Sequence, residues 1–169
     1  MLILAVLLVT ARAASSAAGG EDEERRKAPE PEVGLPAYPL PENLIPFVVS
    51  ANSENRFLID SESLTTDRDG IVRYTLVIIS ASGAENISYE GMNCTTAERR
   101  LYAMAHADRT WSRARSDRWM KIQMRDYSLN RYHATLFQEY FCPVGVPSQS
   151  PDEIRRALRS GGRSWVGGS

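Results

Sequence analysis

The stretch Ile71-Val-Arg-Tyr-Thr-Leu-Val-Ile-Ile-Ser80 decides the fold of this chain. In its first half, apolar side chains alternate with Arg73 and Thr75, and in its second half nearly every side chain is apolar. Alternation is typical of a strand with one buried face, and a short continuous apolar run is typical of a strand that is buried on both faces. The pattern therefore predicts a strand in the interior of a sheet.

Two more strands are predicted directly after this one. In Asn86–Cys94 the parity of the apolar residues changes at Gly91, as it would across a β-bulge. Arg99–His106 follows as a third run, and the short connections favour antiparallel pairing of neighbours. A helix over Thr96–Ala107 is the alternative, because Ala, Glu, Arg, Leu and Met all favour helices.

The flanking elements are shorter. Pro46–Ser50 and Arg56–Asp60 are β-type runs, and Trp119–Gln123 has the pattern of a further strand. Ser128 is a predicted helix cap, and the helix ends at Phe141-Cys142-Pro143, where the proline stops it. Its inward residues, at helical spacing, are Leu129, Tyr132, His133, Leu136, Phe137 and Tyr140.

The sequence Ser150-Pro151-Asp152-Glu153 predicts the start of a second helix. It has an N-cap Ser, Pro at the first helical position and Glu three residues after the cap. Gly161-Gly162 ends this short helix. The predicted fold class is therefore α+β: an antiparallel β-meander of about four to six strands, with one main helix packed on a face and a short C-terminal helix.

The N-terminal region has the pattern of an export signal. An uninterrupted apolar run, Leu2–Val9, is followed by Ala11-Arg12-Ala13, the small residues that a signal peptidase requires. The run is too short to cross a bilayer, which needs about 20 apolar residues. No basic residue precedes the run, and a buried N-terminal strand or helix is the alternative interpretation.

These patterns divide the chain of 169 residues into four parts. Residues 1–13 are a predicted signal peptide, with cleavage as late as residue 18, and residues 14–45 are a proline-rich, charged linker or extended segment. Residues 46–159 form a single α+β domain, and residues 160–169 form a flexible tail. The mature chain is expected to contain no transmembrane span.

The cysteines and the net charge narrow the class of protein. Two cysteines in an oxidising compartment most simply form one disulfide, Cys94–Cys142, and two free buried thiols or a metal pair are the alternatives. A metal pair is disfavoured because the two cysteines lack CxxC spacing. The net charge of -1 excludes a chain-wide polycation, and export argues against nucleic acid as a partner.

No catalytic, cofactor or metal motif is present in the sequence, so we expect no enzyme, no cofactor and no metal ion. The chain has two histidines. His133 falls on the apolar side of the predicted helix, where a packed, hydrogen-bonded histidine is the simplest interpretation. His106 stands near Asp108 at the end of a strand, and a hydrolase that uses this pair is the alternative function.

A basic region with interspersed aromatic residues is the strongest binding signal. Arginine beside aromatic side chains suits an anionic partner, although such charge runs are commonly just solvated. The candidate anion- or partner-binding residues are Arg109, Arg113, Arg115, Arg118, Lys121, Arg125, Arg131, Trp111 and Trp119.

Several segments together resemble the CNP-one-like (CNP1-like) family of bacteria, which is named for a small outer-membrane-associated protein. The segments are Leu44-Ile-Pro-Phe47, Arg56-Phe-Leu-Ile-Asp60, Asp69-Gly-Ile-Val-Arg-Tyr-Thr-Leu76, Ser82-Gly-Ala-Glu-Asn86, Tyr89-Glu-Gly-Met-Asn-Cys94 and Tyr140-Phe-Cys142. The similarity extends roughly from Pro36 to Pro143. Both cysteines match cysteine positions of the family, whereas Asp108-Arg-Thr-Trp111 stands where Asp-Gly-Thr-Trp is expected.

The resemblance implies an envelope protein of uncharacterised function, and it supplies no catalytic residue. We therefore expect an exported protein of the periplasm or outer membrane that acts as a non-enzymatic binding module. Its expected partner is an anionic envelope component or an envelope protein, with peripheral association to the outer membrane. A purely structural envelope role is a further alternative.

Overall fold

One antiparallel sheet dominates the fold. The structure, a computed structural model, describes residues 32–67, 70–116, 118–125, 131–142 and 149–162. In this part of the chain the sheet has seven strands, all within the unit Gly34–Ser169. The strands are β1 (Leu44–Phe47), β2 (Arg56–Thr66), β3 (Ile71–Ile79), β4 (Glu85–Asn93), β5 (Glu98–Ala105), β6 (Trp111–Arg113) and β7 (Met120–Lys121).

The strands follow one another in chain order from β1 to β6, and β7 pairs with β5 farther along the same edge. Strand β3 pairs with β2 and β4, as the apolar run predicts. Gly70 has a positive φ of 74° in the turn before β3, a conformation that glycine adopts without a steric penalty. The predicted third strand is confirmed as β5, and the helical alternative is wrong there.

Both faces of the sheet carry apolar side chains, because alternate residues of β3 point to opposite faces. The larger cluster lies on the face of Tyr74 and Leu76; it also includes Phe47, Phe57, Ile59, Val72, Met92, Leu136, Tyr140, Phe141, Ile154 and Leu158. The smaller cluster, on the other face, contains Leu58, Val77 and Ile87, against which Tyr38 and Leu44 pack. The sheet is therefore interior on both sides over much of β3.

A bulge lies between β4 and β5, but not at Gly91, where the parity change predicted it: β4 pairs with β3 without interruption through Gly91, and its alternate residues face two apolar clusters. Tyr89 pairs with Ala103 and Glu90 pairs with Leu101, so Tyr102 is the extra residue on β5. The Tyr102 ring lies over Gly91, where an added Cβ would come within 2.6 Å of the ring hydroxyl. Glycine is required at this position because the tyrosine occupies the space of a side chain.

The predicted fold class is wrong in the helices and in the strand number. The expected main helix is only a short segment: α1 (Tyr132–Thr135) continues as a π-helical turn, Leu136–Phe141. Helical spacing of apolar residues marks which side of a segment faces inward, but it does not set the length of a regular helix. The unpredicted strand β6 is short and mostly exposed, so it carries no apolar pattern, whereas β7 lies within the predicted strand Trp119–Gln123.

The segment still contributes to the core. The Phe141 ring packs edge-on against Tyr74 of β3, with ring centroids 4.9 Å apart. Cys142, directly after the π-helical turn, lies at disulfide distance from Cys94, which follows β4; the sulfur atoms are 2.04 Å apart and the Cα atoms 5.2 Å. The predicted cysteine pair thus attaches the end of the segment to the sheet.

The C-terminal helix α2 (Pro151–Arg159) is confirmed together with its start signal. The Ser150 hydroxyl accepts from the Glu153 backbone N–H, and the Glu153 carboxylate accepts from the Ser150 backbone N–H. Ile154 and Leu158 are buried against the sheet cluster. The predicted signal peptide, the linker up to residue 31, the cap Ser128, Pro143 and the tail beyond residue 162 lie outside the described residues.

Candidate functional site

A cleft of about 610 Å³ opens on the sheet face of the larger cluster. Side chains of β3, β4 and β5 form its floor, and residues 121–123 and 131–134 form its wall. The bulge at Tyr102 shapes this floor, because it lets both Leu101 and Met104 of β5 line the cleft. The volume is in the range of small-molecule sites.

A buried carboxylate lies at the bottom of the cleft. Glu90, which is 5% exposed, stands in the middle of β4 directly opposite Tyr74 of β3. One carboxylate oxygen, Oε2, accepts from the Tyr74 hydroxyl at 3.1 Å and contacts His133 Nε2 at 2.7 Å. The other oxygen, Oε1, accepts from the Ser88 hydroxyl at 2.7 Å. The carboxylate is therefore held by three partners, one of them from α1.

These partners determine the electrostatics of the floor. Burial acts to raise the pKa of Glu90, but the hydrogen bond and charge of His133, the Ser88 hydroxyl and the charge of Arg99 together lower this pKa below its ordinary value. Burial, and next the Glu90 charge, raise the pKa of Tyr74 well above its ordinary value. Glu90 is thus an ionised acceptor and Tyr74 a permanent donor at neutral pH.

Three cationic side chains line the same cleft. Lys121 Nζ lies 3.2 Å from the Glu98 carboxylate and donates to the Thr96 carbonyl at 2.8 Å. Arg131 Nε donates to the Val49 carbonyl at 3.5 Å. Arg99 is half-buried and its charge acts on Glu90, yet its guanidinium forms no hydrogen bond or ion pair with any residue that the structure describes. The donors of Arg99 are thus available to a ligand.

The structure brings only two of the predicted binding residues, Lys121 and Arg131, to this cleft. Trp111 is half-buried on the opposite face, packed against the smaller cluster and 6.4 Å from the Tyr89 ring. Arg109 lies 5.6 Å from the Tyr38 ring and has φ of 65°, at the position where the resemblance calls for glycine. The remaining candidates, none of which lines the cleft, are Arg113, Arg115, Arg118, Trp119 and Arg125.

The histidines differ in their surroundings. His106 is exposed and contacts the Ser112 hydroxyl, while Asp108 accepts from the Thr110 hydroxyl at 2.7 Å within the same turn. Neither residue lines the cleft. His133 has a side chain that is 12% exposed and hydrogen-bonded, which confirms the interpretation of a packed histidine. Its place in the wall of a cleft was not predicted.

Sequence reasoning missed Glu90, Arg99 and Tyr74 as site residues. The available signal was a charged residue, Glu90, two positions before the apolar Met92 on the same side of a strand. Buried charges are rare unless they are paired, so such a residue predicts a partner elsewhere in the chain. The identity of that partner, His133, follows only from the tertiary structure.

Within the described ranges, no group of three or more His, Cys, Asp and Glu side chains is arranged to hold a metal ion. None of the helices in those ranges has the length and apolar character needed to cross a membrane. A comparison with curated proteins and one with solved structures each found no match. The model of the CNP1-like family matches residues 23–159, which is well over half of the chain. The protein belongs to the CNP1-like family.

Proposed function

We propose that this protein is an exported, non-enzymatic binding module of the bacterial cell envelope and that its ligand occupies the cleft above Glu90. The observation that carries the proposal is the guanidinium of Arg99, which has no hydrogen-bond or ion-pair partner among the described residues and lines a cleft of about 610 Å³ beside Lys121 and Arg131. Ligand sites in proteins combine such a cavity with a few convergent polar groups. The cationic wall suits the anionic envelope component expected from the sequence.

Export is supported by two features. The apolar run Leu2–Val9 followed by Ala11-Arg12-Ala13 has the signal-peptide pattern. The Cys94–Cys142 bridge suits an oxidising compartment such as the bacterial periplasm. On this proposal the protein works in the periplasm or bound peripherally to the outer membrane.

The hydrogen-bond pattern favours binding over hydrolysis. In a Ser–His–acid relay the hydroxyl must bond to the imidazole, so that the imidazole can take its proton. Here Ser88 and His133 both bond to the same carboxylate, Glu90. That arrangement positions the carboxylate and α1, and it leaves the hydroxyl without a base other than Glu90.

The cleft is tested by capturing envelope components on the immobilised, oxidised protein and identifying retained small molecules and glycolipids by mass spectrometry. One variant changes Arg99, Lys121 and Arg131 to Gln, and a second changes Arg113, Arg115 and Arg118 to Gln. Both remove three positive charges, so non-specific electrostatics is matched. We expect the first variant to lose the ligand and the second to keep it.

The opposite pattern, with loss only in the second variant, would place the site on the exposed basic residues and refute the cleft. Equal retention by all three proteins would refute a charge-dependent ligand. Export is tested separately by osmotic-shock fractionation of cells, and recovery of the protein in the cytoplasm with an intact N-terminus would contradict it.

A further inference from the structure

We infer that the ligand of the cleft is an acidic sugar, a molecule with a carboxylate or phosphate beside several hydroxyls. This inference rests on the proposed function and specifies its ligand. The carboxylate or phosphate would be bound by Arg99, and the hydroxyls by amide side chains of the cleft. The sugar is either free or the terminal group of an envelope glycolipid, since both present the same chemistry.

The charges of the cleft select an anion. Arg99, Lys121 and Arg131 supply three cationic groups, against two carboxylates: Glu90 in the lining and Glu98, which is paired with Lys121. Glu90 already accepts from Tyr74 and Ser88 and is bonded to His133, so it has little capacity left for a cation. A guanidinium has a planar fork of donors that matches a carboxylate or phosphate with two parallel hydrogen bonds.

The neutral lining residues select hydroxyl groups. Three primary amides, those of Asn55, Asn86 and Gln123, line the cleft, and their side chains make no hydrogen bond to the part of the chain that the structure describes. Each amide offers both a donor and an acceptor, which is what a sugar hydroxyl needs. Apolar side chains that also line the cleft, such as Leu101 and Ile122, suit the C–H face of a sugar ring. A bare inorganic anion would leave these amides unused.

The test is titration calorimetry of the full oxidised protein with glucuronate, glucose 6-phosphate, glucose, inorganic phosphate and acetate. Glucuronate and glucose 6-phosphate are expected to bind at least about 10-fold more tightly than the other three probes, because only they engage both sets of groups. Arg99→Gln should weaken their binding about 30-fold, and Arg99→Lys should weaken it less, since Lys keeps the charge and loses the fork.

Two further variants make the assignment specific. Gln123→Leu should reduce the preference for glucose 6-phosphate over inorganic phosphate without abolishing phosphate binding. Arg159→Gln, an exposed change in α2 far along the chain from the cleft, should leave every affinity unchanged. Unfolding midpoints in urea confirm that each variant is folded, so a loss of binding is assigned to the cleft.

The outcomes separate this inference from the proposed function. Equal binding of glucose and glucuronate, equal binding of inorganic phosphate and glucose 6-phosphate, or no binding of any probe would overturn the acidic sugar. If the variant with Arg99, Lys121 and Arg131 changed to Gln nevertheless loses an envelope ligand in the capture experiment, the proposal of a binding module is retained and its ligand is not an acidic sugar. Displacement of a detergent-solubilised acidic glycolipid by free glucuronate would identify the membrane as the source of the sugar.

Discussion

Replacement of Glu90 by Gln tests the buried hydrogen-bond cluster directly. The carboxylate is bonded to Tyr74, Ser88 and His133, and it is almost fully buried. Hydrogen bonds to an ionised acceptor contribute about 1 kcal/mol more than bonds to a neutral one. An amide keeps one acceptor oxygen, and the Ser88 hydroxyl can rotate to accept from its NH2 group. Three weakened bonds therefore predict a loss of about 3 kcal/mol in the free energy of unfolding.

The effect should depend on pH in a defined direction. Because His133, Ser88 and Arg99 outweigh burial, the pKa of Glu90 in the folded protein lies below its ordinary value of 4.5. The folded state then binds this proton less tightly than the unfolded state, so the stabilisation is complete above about pH 4.5 and is lost as the pH falls through the folded pKa. The difference in stability between the unmodified protein and the Glu90→Gln variant should therefore shrink below about pH 4.5.

The assay is urea unfolding followed by intrinsic fluorescence at pH 7 and at about pH 3.5. Glu85→Gln is the matched control, since Glu85 lies on the same strand and is exposed. We expect the control to change stability by less than about 0.5 kcal/mol at either pH. Equal stability of Glu90→Gln and the unmodified protein at pH 7, or a difference that persists unchanged at the lower pH, would refute the reasoning.

Three further predictions concern the scaffold. Cys142→Ser should lower the free energy of unfolding by about 4 kcal/mol on the loop-entropy account, and an unchanged urea midpoint after reduction of the original protein would contradict it. Gly91→Ala should lower the free energy of unfolding by about 1–3 kcal/mol, because the added Cβ would collide with Tyr102. Gly34→Ala is the control and should be nearly neutral, because the space around Gly34 is open. Equal melting temperatures of the two variants would disprove the contact. Ser150→Ala should cost about 1 kcal/mol by removing the cap of α2, and Ser150→Asp should restore it, as urea unfolding of both variants would show.

Local patterns predicted the centre of the fold. The alternation of apolar residues identified β3, β4 and β5, because each strand pairs with its chain neighbour and the short turns leave few other arrangements. The start of α2 was also predicted, since a capping box involves only four consecutive residues. These features need no knowledge of distant contacts.

The edges and the helices were predicted less well. Strand β6 was not predicted, because two of its three residues are exposed and backbone pairing with β5 leaves no apolar pattern in the sequence; strand β7 was predicted with bounds that are too wide. The π-helical turn after α1 packs against Tyr74 of the sheet and ends at Cys142 of the Cys94–Cys142 bridge, and helical spacing in the sequence carries no information on these distant contacts. The predicted main helix was wrong for this reason.

In the candidate site, too, some features follow from the sequence and others only from the tertiary structure. The sequence by itself determined the central strands, the cap of α2 and the family, because these depend on neighbouring residues or on the whole pattern of the chain. Only the tertiary structure decided that Glu90 meets His133, 43 positions away, and that Arg99 joins Lys121 and Arg131 in one cleft. Residues of the basic region between Arg109 and Arg131 do not form one surface, because neighbours in a strand point in alternate directions and others lie beyond a turn. Strand pairing and the packing of α1 instead bring together side chains that are far apart in the sequence.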